Sequence, residues 1–363
     1  SATKATAFAR LGASQVFFMA WENGGDIMDY KLGILDQSPI FKGETATDAF
    51  QHTIELAKKA EAWGYSRFWV SEHHNMEQVA GSSPEVLISH LLAHTNKIQL
   101  GSGGVMLQHY SPYKVAENFN VLATLAPGRV DLGIGKAPGG LPLSTRALQN
   151  GIPQNYDFNE RFTLLKRLID ESIDEDHPLS GLQAIPKPNQ KPEVYLLGGS
   201  VNSAQLAADL RVHLVFAGFL NNDEKVLQET ASFFKKAFKD GKFIVALTVL
   251  AAPTQEEAEK LAEEHKLFTL YLPNGRTLTV QTEEQVKAYE NQAEGPFEVQ
   301  EKTADIISGT PEYVTQELNR LHQLYQIDEF MLHTPIWRKV ERFRSFELLR
   351  PNELIARVEA TRS

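Results

Sequence analysis

The sequence predicts a single (β/α)8 barrel of the TIM type, an α/β fold, on three observations. Short apolar runs alternate with amphipathic helical stretches from Lys31 onward, the rhythm of parallel strands covered by helices. Eight such runs can be counted, whereas an open doubly wound sheet usually stops at about five to seven. The residues that end the runs are polar or small, as they must be where a barrel binds its ligands at the strand carboxyl ends.

The elements follow in order. Lys31–Asp36 is the first strand, ended by Gln37-Ser38-Pro39. The next helix, Asp48 to Trp63, places Phe50, Ile54, Ala57 and Ala60 at helical spacing, with Lys58, Lys59 and Glu61 on the other side, and Gly64 stops it. Further strands are expected at Arg67 to Glu72, Ile98 to Val105, Val130 to Gly135, Glu193 to Gly198, His213 to Ala217, Phe243 to Leu250 and Asp328 to Leu332. Helices are expected at Pro84 to Thr95, Pro112 to Leu125, Glu160 to Ser172, Ser203 to Leu210, Asp223 to Phe238, Glu256 to Phe268 and Pro311 to Tyr325. Two intervals, Gly139 to Pro192 and Ala251 to Ile327, exceed a turn and a helix and read as insertions after strands 4 and 7. Within the second, Tyr271 to Phe297 is rich in Thr, Gln, Glu and Gly and reads as an irregular lid over the mouth. Phe343 to Ala360 reads as a closing helix interrupted at Pro351. Residues 1–29 carry no strand period and read as an N-terminal extension or appendage to one domain over residues 30–363, with Met28 a candidate start.

Composition narrows the chemistry. A chain of 363 residues with 42% hydrophobic content can bury a large core. With a formal net charge of -10 and no basic stripe, nucleic acid is not an expected partner. The lack of cysteine removes disulfides, thiolate metal sites and a cysteine nucleophile together, and makes the cytoplasm the default location. No apolar run has the length of a membrane span, and the start of the chain lacks the order of a signal peptide.

The strand ends carry the candidate site. Strand two ends in Ser71-Glu72-His73-His74-Asn75, strand three in Gly101-Ser102-Gly103-Gly104, strand four in Gly133-Ile134-Gly135-Lys136, and strand five in Gly198-Gly199-Ser200-Val201-Asn202-Ser203. Glycines here leave room for a flat ring to approach the backbone, or merely serve turns. Gly133-x-Gly135 is not a dinucleotide fingerprint, because Pro138 stands where the third glycine would fall. Gly199, Ser200 and Ser203 lead into a helix whose free N–H groups and two hydroxyls suit a phosphate monoester, with Lys136 or Arg161 to neutralise it. The competing reading is that Ser200 or Asn202 only caps the helix. Adjacent strand residues face opposite ways, so at most one of His73 and His74 readily faces the barrel centre, where an imidazole can act as a general base. His90 and His94 have metal-compatible spacing, but no carboxylate accompanies them, and no metal is expected. The serines offer no G-x-S-x-G elbow.

Five segments together resemble the bacterial luciferase-like flavin monooxygenases: Arg67-Phe-Trp-Val-Ser-Glu-His-His74, Leu100-Gly-Ser-Gly-Gly-Val-Met-Leu107, Ser111-Pro112 through Glu117 to Leu125, Gly128-Arg-Val-Asp-Leu-Gly-Ile-Gly135 and Leu197-Gly-Gly-Ser200. The resemblance runs in order from about Lys31 to about Leu332. It implies FMN or reduced FMN as cofactor, NAD(P)H acting directly or through a partner flavin reductase, and oxygen as co-substrate with a small organic molecule such as an aldehyde. It implies His73 as catalytic base, Gly103 and Gly104 as the small pair beneath the flavin ring, where the family often has an unusual cis peptide bond, and Lys136, Arg161, Ser200 and Ser203 around the phosphate. Gly135 stands where luciferase has a cysteine and Asn75 where it has an aromatic residue, which speaks against luminescence. Relatives on this scaffold also include flavin reductases, deazaflavin-dependent dehydrogenases and non-catalytic flavin-binding proteins. A homodimer is implied through the helices that carry Leu87, Ile88, Leu91 and Leu92.

Overall fold

The structure, a computed structural model, describes residues 29–150, 157–219, 223–272, 275, 277–280, 282–293, 295–303 and 305–354. The proposed N-terminal extension therefore lies outside the described residues, apart from Asp29, as does the end of the tail beyond residue 354.

Eight parallel strands form a closed ring: β1 (Lys31–Asp36), β2 (Arg67–Val70), β3 (Gln99–Ser102), β4 (Val130–Gly135), β5 (Glu193–Gly198), β6 (His213–Ala217), β7 (Phe243–Ala251) and β8 (Glu329–His333). β8 closes it, setting Met331 beside Gly33 of β1 on one side and Ala246 of β7 on the other. Helices α1 (Ala46–Trp63), α2 (Pro84–His94), α3 (Pro112–Leu125), α4 (Pro142–Leu148), α5 (Phe158–Asp170), α6 (Val201–Asp209), α7 (Glu224–Ala237), α8 (Gln255–Glu263), α9 (Glu283–Glu290), α10 (Pro311–Tyr325) and α11 (Lys339–Leu348) fill the connections. Local chemistry fixes their ends. Thr45 and Asp48 exchange the two bonds of a capping box at the start of α1, and Gly64, at φ 88°, closes its end by donating to Ala60 and Glu61. The Glu61 carboxylate then accepts from the backbone N–H groups of Asn96, Lys97 and Ile98, tying α1 to the turn before β3.

The two-residue period of the strands sorts the core into two compartments. Ile34, Phe68, Leu100, Leu132, Leu196, Phe216, Val245 and Phe330 point outward and pack under the helices. Leu35, Trp69, Tyr195, Val215, Ile244, Ala246 and Met331 point inward and fill the barrel. Inward positions therefore continue, two residues at a time, to Ser71, Gly103 and His333 at the carboxyl ends.

The insertions fall after β4 and β7 as expected, but the second is not irregular. The expected helix Glu256 to Phe268 ends at Glu263, and Lys266–Tyr271 is a strand. It lies between Thr277–Val280 and Glu298–Thr303 in a three-stranded antiparallel sheet. The alternation in Lys-Leu-Phe-Thr-Leu-Tyr is a strand period, and Phe268, Leu270, Val280 and Tyr289 of α9 form a small core of their own. Leu141 from the first insertion joins that core, and the Leu143 N–H donates to Gln292, so the two insertions are packed together.

The helix face expected to pair two copies is also revised. Ile88, Leu91 and Leu92 are buried within the chain itself, and the apolar side chains that α2 and α3 expose are Val86, Val121 and Leu125. Among the described residues, no helix is long and apolar enough to cross a membrane.

Candidate active site

The carboxyl end of β2 separates its two histidines by strand parity. Ser71 and His73 share one face, joined by a 3.0 Å bond between Ser71 Oγ and His73 Nδ1. The His73 backbone N–H donates to Gly81, which holds the residue between β2 and the following loop. Glu72 and His74 take the other face. The fully buried Glu72 carboxylate pairs with His74 Nε2 at 2.7 Å and accepts from the Tyr110 hydroxyl at 2.7 Å and the Met106 N–H at 3.1 Å. Burial pushes the His73 imidazole down to about 4, His74 adds to the effect and Glu72 opposes it, so the ring is neutral at pH 7. In the tautomer that gives the Nδ1 hydrogen to Ser71 Oγ, Nε2 of this neutral ring is a proton acceptor.

The Gly103-Gly104 peptide is cis. A Cβ on Gly103 would stand 2.6 Å from Leu35 Cδ1, and one on Gly104 would stand 2.9 Å from the Gly133 carbonyl oxygen. These glycines are thus demanded by the packing of the chain on itself, a reason separate from ligand access. The outcome is a stretch of bare backbone between β3 and β4, held by Ser102 Oγ, which donates to the Gly133 carbonyl and accepts from the Gly133 N–H.

At β5, Gly199 leads to Ser200, the N-cap of α6, whose hydroxyl accepts from the Ser203 N–H. Ser200 Oγ and Ser203 Oγ are 3.2 Å apart. A Cβ on Gly198 would collide with Ser203 Oγ at 2.2 Å. The capping role weighed in the sequence and a pair of converging hydroxyls therefore coexist. Lys136 is exposed, with Nζ 5.7 Å from the centre of the Phe158 ring. Arg161 is buried and donates from Nη1 to the Tyr110 carbonyl at 2.7 Å. Its guanidinium thus braces the turn that carries Tyr110, a role that the spacing of the sequence did not suggest.

Several residues at this end escaped the sequence reading. Tyr110 is one; another is His109, which bridges the Pro138 carbonyl and Gln149. At the β8–β1 junction, Arg342 Nη2 donates to the fully buried Asp36 at 2.8 Å, and Arg342 Nε to the Thr334 carbonyl. His333, 8% exposed, sits beside them with Nδ1 unpartnered. Counting two residues on from Met331 would have found it.

The amino end of the barrel is a polar plug. Arg67 pairs with Asp131 at 2.6 Å and Glu329 at 2.8 Å, and Trp69 Nε1 donates to Asp131 at 2.8 Å. Burial works against the Arg67 charge, but the two carboxylates outweigh it and keep the guanidinium protonated. Burial raises the Asp131 carboxyl to about 6 despite Arg67 and Trp69. Charged residues at inward positions of short apolar strands were a readable signal for this plug.

Residues 28–326 match the family described as Luciferase-like monooxygenase. The chain is 46% identical over 331 residues to N-acetyl-S-alkylcysteine monooxygenase of Bacillus subtilis (strain 168), covering 90% of this chain and 99% of that protein. It is 34% identical to a luciferase-like monooxygenase of Escherichia coli (strain K12), covering 87% and 95% of the two chains. Among solved structures, apo-MsnO8 superposes with a TM-score of 0.73 at 30% identity, over 91% of this chain and 99% of its own. The oxygenating constituent of 3,6-diketocamphane monooxygenase, in complex with FMN, shares the fold with a TM-score of 0.63 at 19% identity, over 89% and 97%.

Proposed function

The chain belongs to the luciferase-like monooxygenase family, and from that premise we propose that it is an FMN-dependent monooxygenase acting on an S-alkylated, N-acylated amino acid. The observation that carries the reading is the gathering of three features at one barrel end: a neutral, half-buried imidazole, a bare stretch of backbone and a hydroxyl-lined helix start. The FMN-bound relative supports the cofactor, and the 46% identity across almost all of the cysteine-conjugate enzyme supports the substrate class.

The residues fit the group. Ser200 and Ser203, with the free N–H groups of α6, would hold the phosphate, and the exposed Lys136 would supply positive charge. Gly103 and Gly104 would lie against the ring. When bound and reduced, the flavin supplies two electrons to molecular oxygen, one atom of which passes to the substrate while the other leaves as water. His73 manages protons: Ser71 engages Nδ1, so proton transfer falls to Nε2. Glu72, Tyr110 and Met106 fix the strand end that carries it. The two insertions, packed together through Leu141, would cover the mouth and exclude water.

NAD(P)H enters through a partner flavin reductase in this reading, and two copies pair through the faces bearing Val86, Val121 and Leu125. The test is oxygen consumption with FMN, NADH, a flavin reductase and an N-acetyl-S-alkylcysteine, with 18O2 to follow one atom into the product. His73→Ala should lower turnover by about 10²- to 10⁴-fold with flavin binding kept. Flavin binding without substrate-dependent oxygen uptake would favour a reductase or a non-catalytic flavoprotein, and binding of a deazaflavin in place of FMN would favour a dehydrogenase.

A further inference from the structure

We propose that His333 is a second imidazole of the active site, whose Nδ1 forms a hydrogen bond with the molecule bound in the barrel mouth. The inference rests on the flavin reading above and deepens it.

His333 ends β8, two residues after Met331 and four after Glu329, both of which point into the barrel. It therefore faces the mouth by the same parity that places Ser71 and His73 there. It is 8% exposed, and its Nδ1 has no hydrogen-bond partner. Among the described residues, the other buried side-chain atoms in that condition are Tyr30 Oη, Asn120 Oδ1, Asp131 Oδ1 and Thr230 Oγ1, and Asp131 belongs to the plug at the opposite end. Buried polar atoms are almost always paired, so an orphan at a ligand-binding end points to a ligand.

The chemistry of the missing partner follows from the surroundings. The ring interacts with the backbone of Leu35, a contact that favours the proton on His333. Burial, with the Arg342 charge behind it and His73 near it, keeps His333 down to about 4 in spite of Leu35 and Asp36, so the ring is neutral and carries one N–H and one lone pair. Nδ1 is the nitrogen without a partner. The bound molecule supplies one: a ring N–H or carbonyl of the reduced isoalloxazine, or the amide of the acylated substrate.

Two substitutions separate the nitrogens. Gln reaches the Nε2 position and not Nδ1, whereas Asn offers an amide near Nδ1 and does not reach Leu35. His333→Gln should weaken binding of one ligand by about tenfold, the size expected of a single hydrogen bond in a buried site, while His333→Asn stays within about threefold of wild type. Dissociation constants for photoreduced FMN under anaerobic conditions read the flavin arm, and KM for an N-acetyl-S-alkylcysteine reads the substrate arm. Gln and Asn variants that both match wild type in both arms overturn the proposal. In case either variant folds poorly, 15N-histidine NMR of the unmodified protein gives an independent reading. A Nδ1 resonance that stays put when saturating reduced FMN and substrate are added overturns it equally. A wild-type protein that binds no flavin overturns the underlying reading, a result distinct from wild-type binding that ignores His333.

Discussion

Acidification from pH 7 to pH 5 should loosen this fold, and the buried imidazoles set the size of the effect. Burial pushes His73, His213 and His333 down to about 4 from an ordinary 6.5. Between those two values the unfolded chain binds protons that the native protein refuses, so the stability is present above pH 6.5 and is lost as pH falls towards 4. For one fully buried imidazole the loss between pH 7 and pH 5 is about 2 kcal/mol. His333, 8% exposed, takes that figure in full. His73 and His213 keep partial contact with solvent, so the three together come to about 4 kcal/mol. Asp131 works in the other direction. Its carboxyl is raised to about 6, so the native protein binds the proton more tightly than the unfolded chain, and acidification returns about 1 kcal/mol. The net expectation is a loss of about 3 kcal/mol, a large share of the total stability of an ordinary domain. Urea unfolding at pH 7, 6 and 5, followed by tryptophan fluorescence, measures it, and His333→Gln should give a shallower slope than wild type. A midpoint that holds steady or rises as pH drops from 7 to 5 would refute the reasoning, because it would mean that these rings are solvated or paired.

Other outcomes can be checked separately. Arg67→Met leaves Asp131 and Glu329 buried without their cation and should cost about 3 to 5 kcal/mol of stability in urea unfolding; an unchanged midpoint would show that the plug is hydrated. Replacing Ser200 and Ser203 together by Ala should weaken FMN by about tenfold in a fluorescence titration while leaving riboflavin, which lacks the phosphate, unaffected. Equal losses for both ligands would move the phosphate elsewhere. Gly104→Ala sets a methyl 2.9 Å from the Gly133 carbonyl oxygen, and calorimetry should report a loss of about 1 to 3 kcal/mol.

The barrel was legible because its strands are short, apolar and evenly spaced by amphipathic helices, a pattern that survives without any tertiary information. Six of the eight strands have at least one end where the sequence put it, and β1, β4, β5 and β6 have both. The insertion after β7 was misjudged for a physical reason. Lys266–Tyr271 follows α8 after two residues, so helical period runs into strand period without a Gly or Pro to mark the change. The strand-end residues proposed for the site, His73, Gly103, Gly104, Ser200 and Ser203, were visible as candidates because a barrel gathers its strand ends at one mouth. Arg161 was assigned to the phosphate by position; its guanidinium also reaches Tyr110, and no local pattern announces a contact 51 residues away. His333 lay in a run, Glu-Phe-Met-Leu-His, whose apolar centre reads as pure core until the two-residue alternation is carried to its last member.

The plug has one more consequence. Arg67, Trp69, Asp131, Tyr195 and Glu329 are all at most 2% exposed, so the axis of the barrel is a cul-de-sac with a single doorway. On the proposed reading, oxygen, cofactor and organic molecule would share that mouth, and a spent molecule would leave by the way it came. The plug would thereby impose an order of arrival and departure: whatever sits deepest would come first and go last.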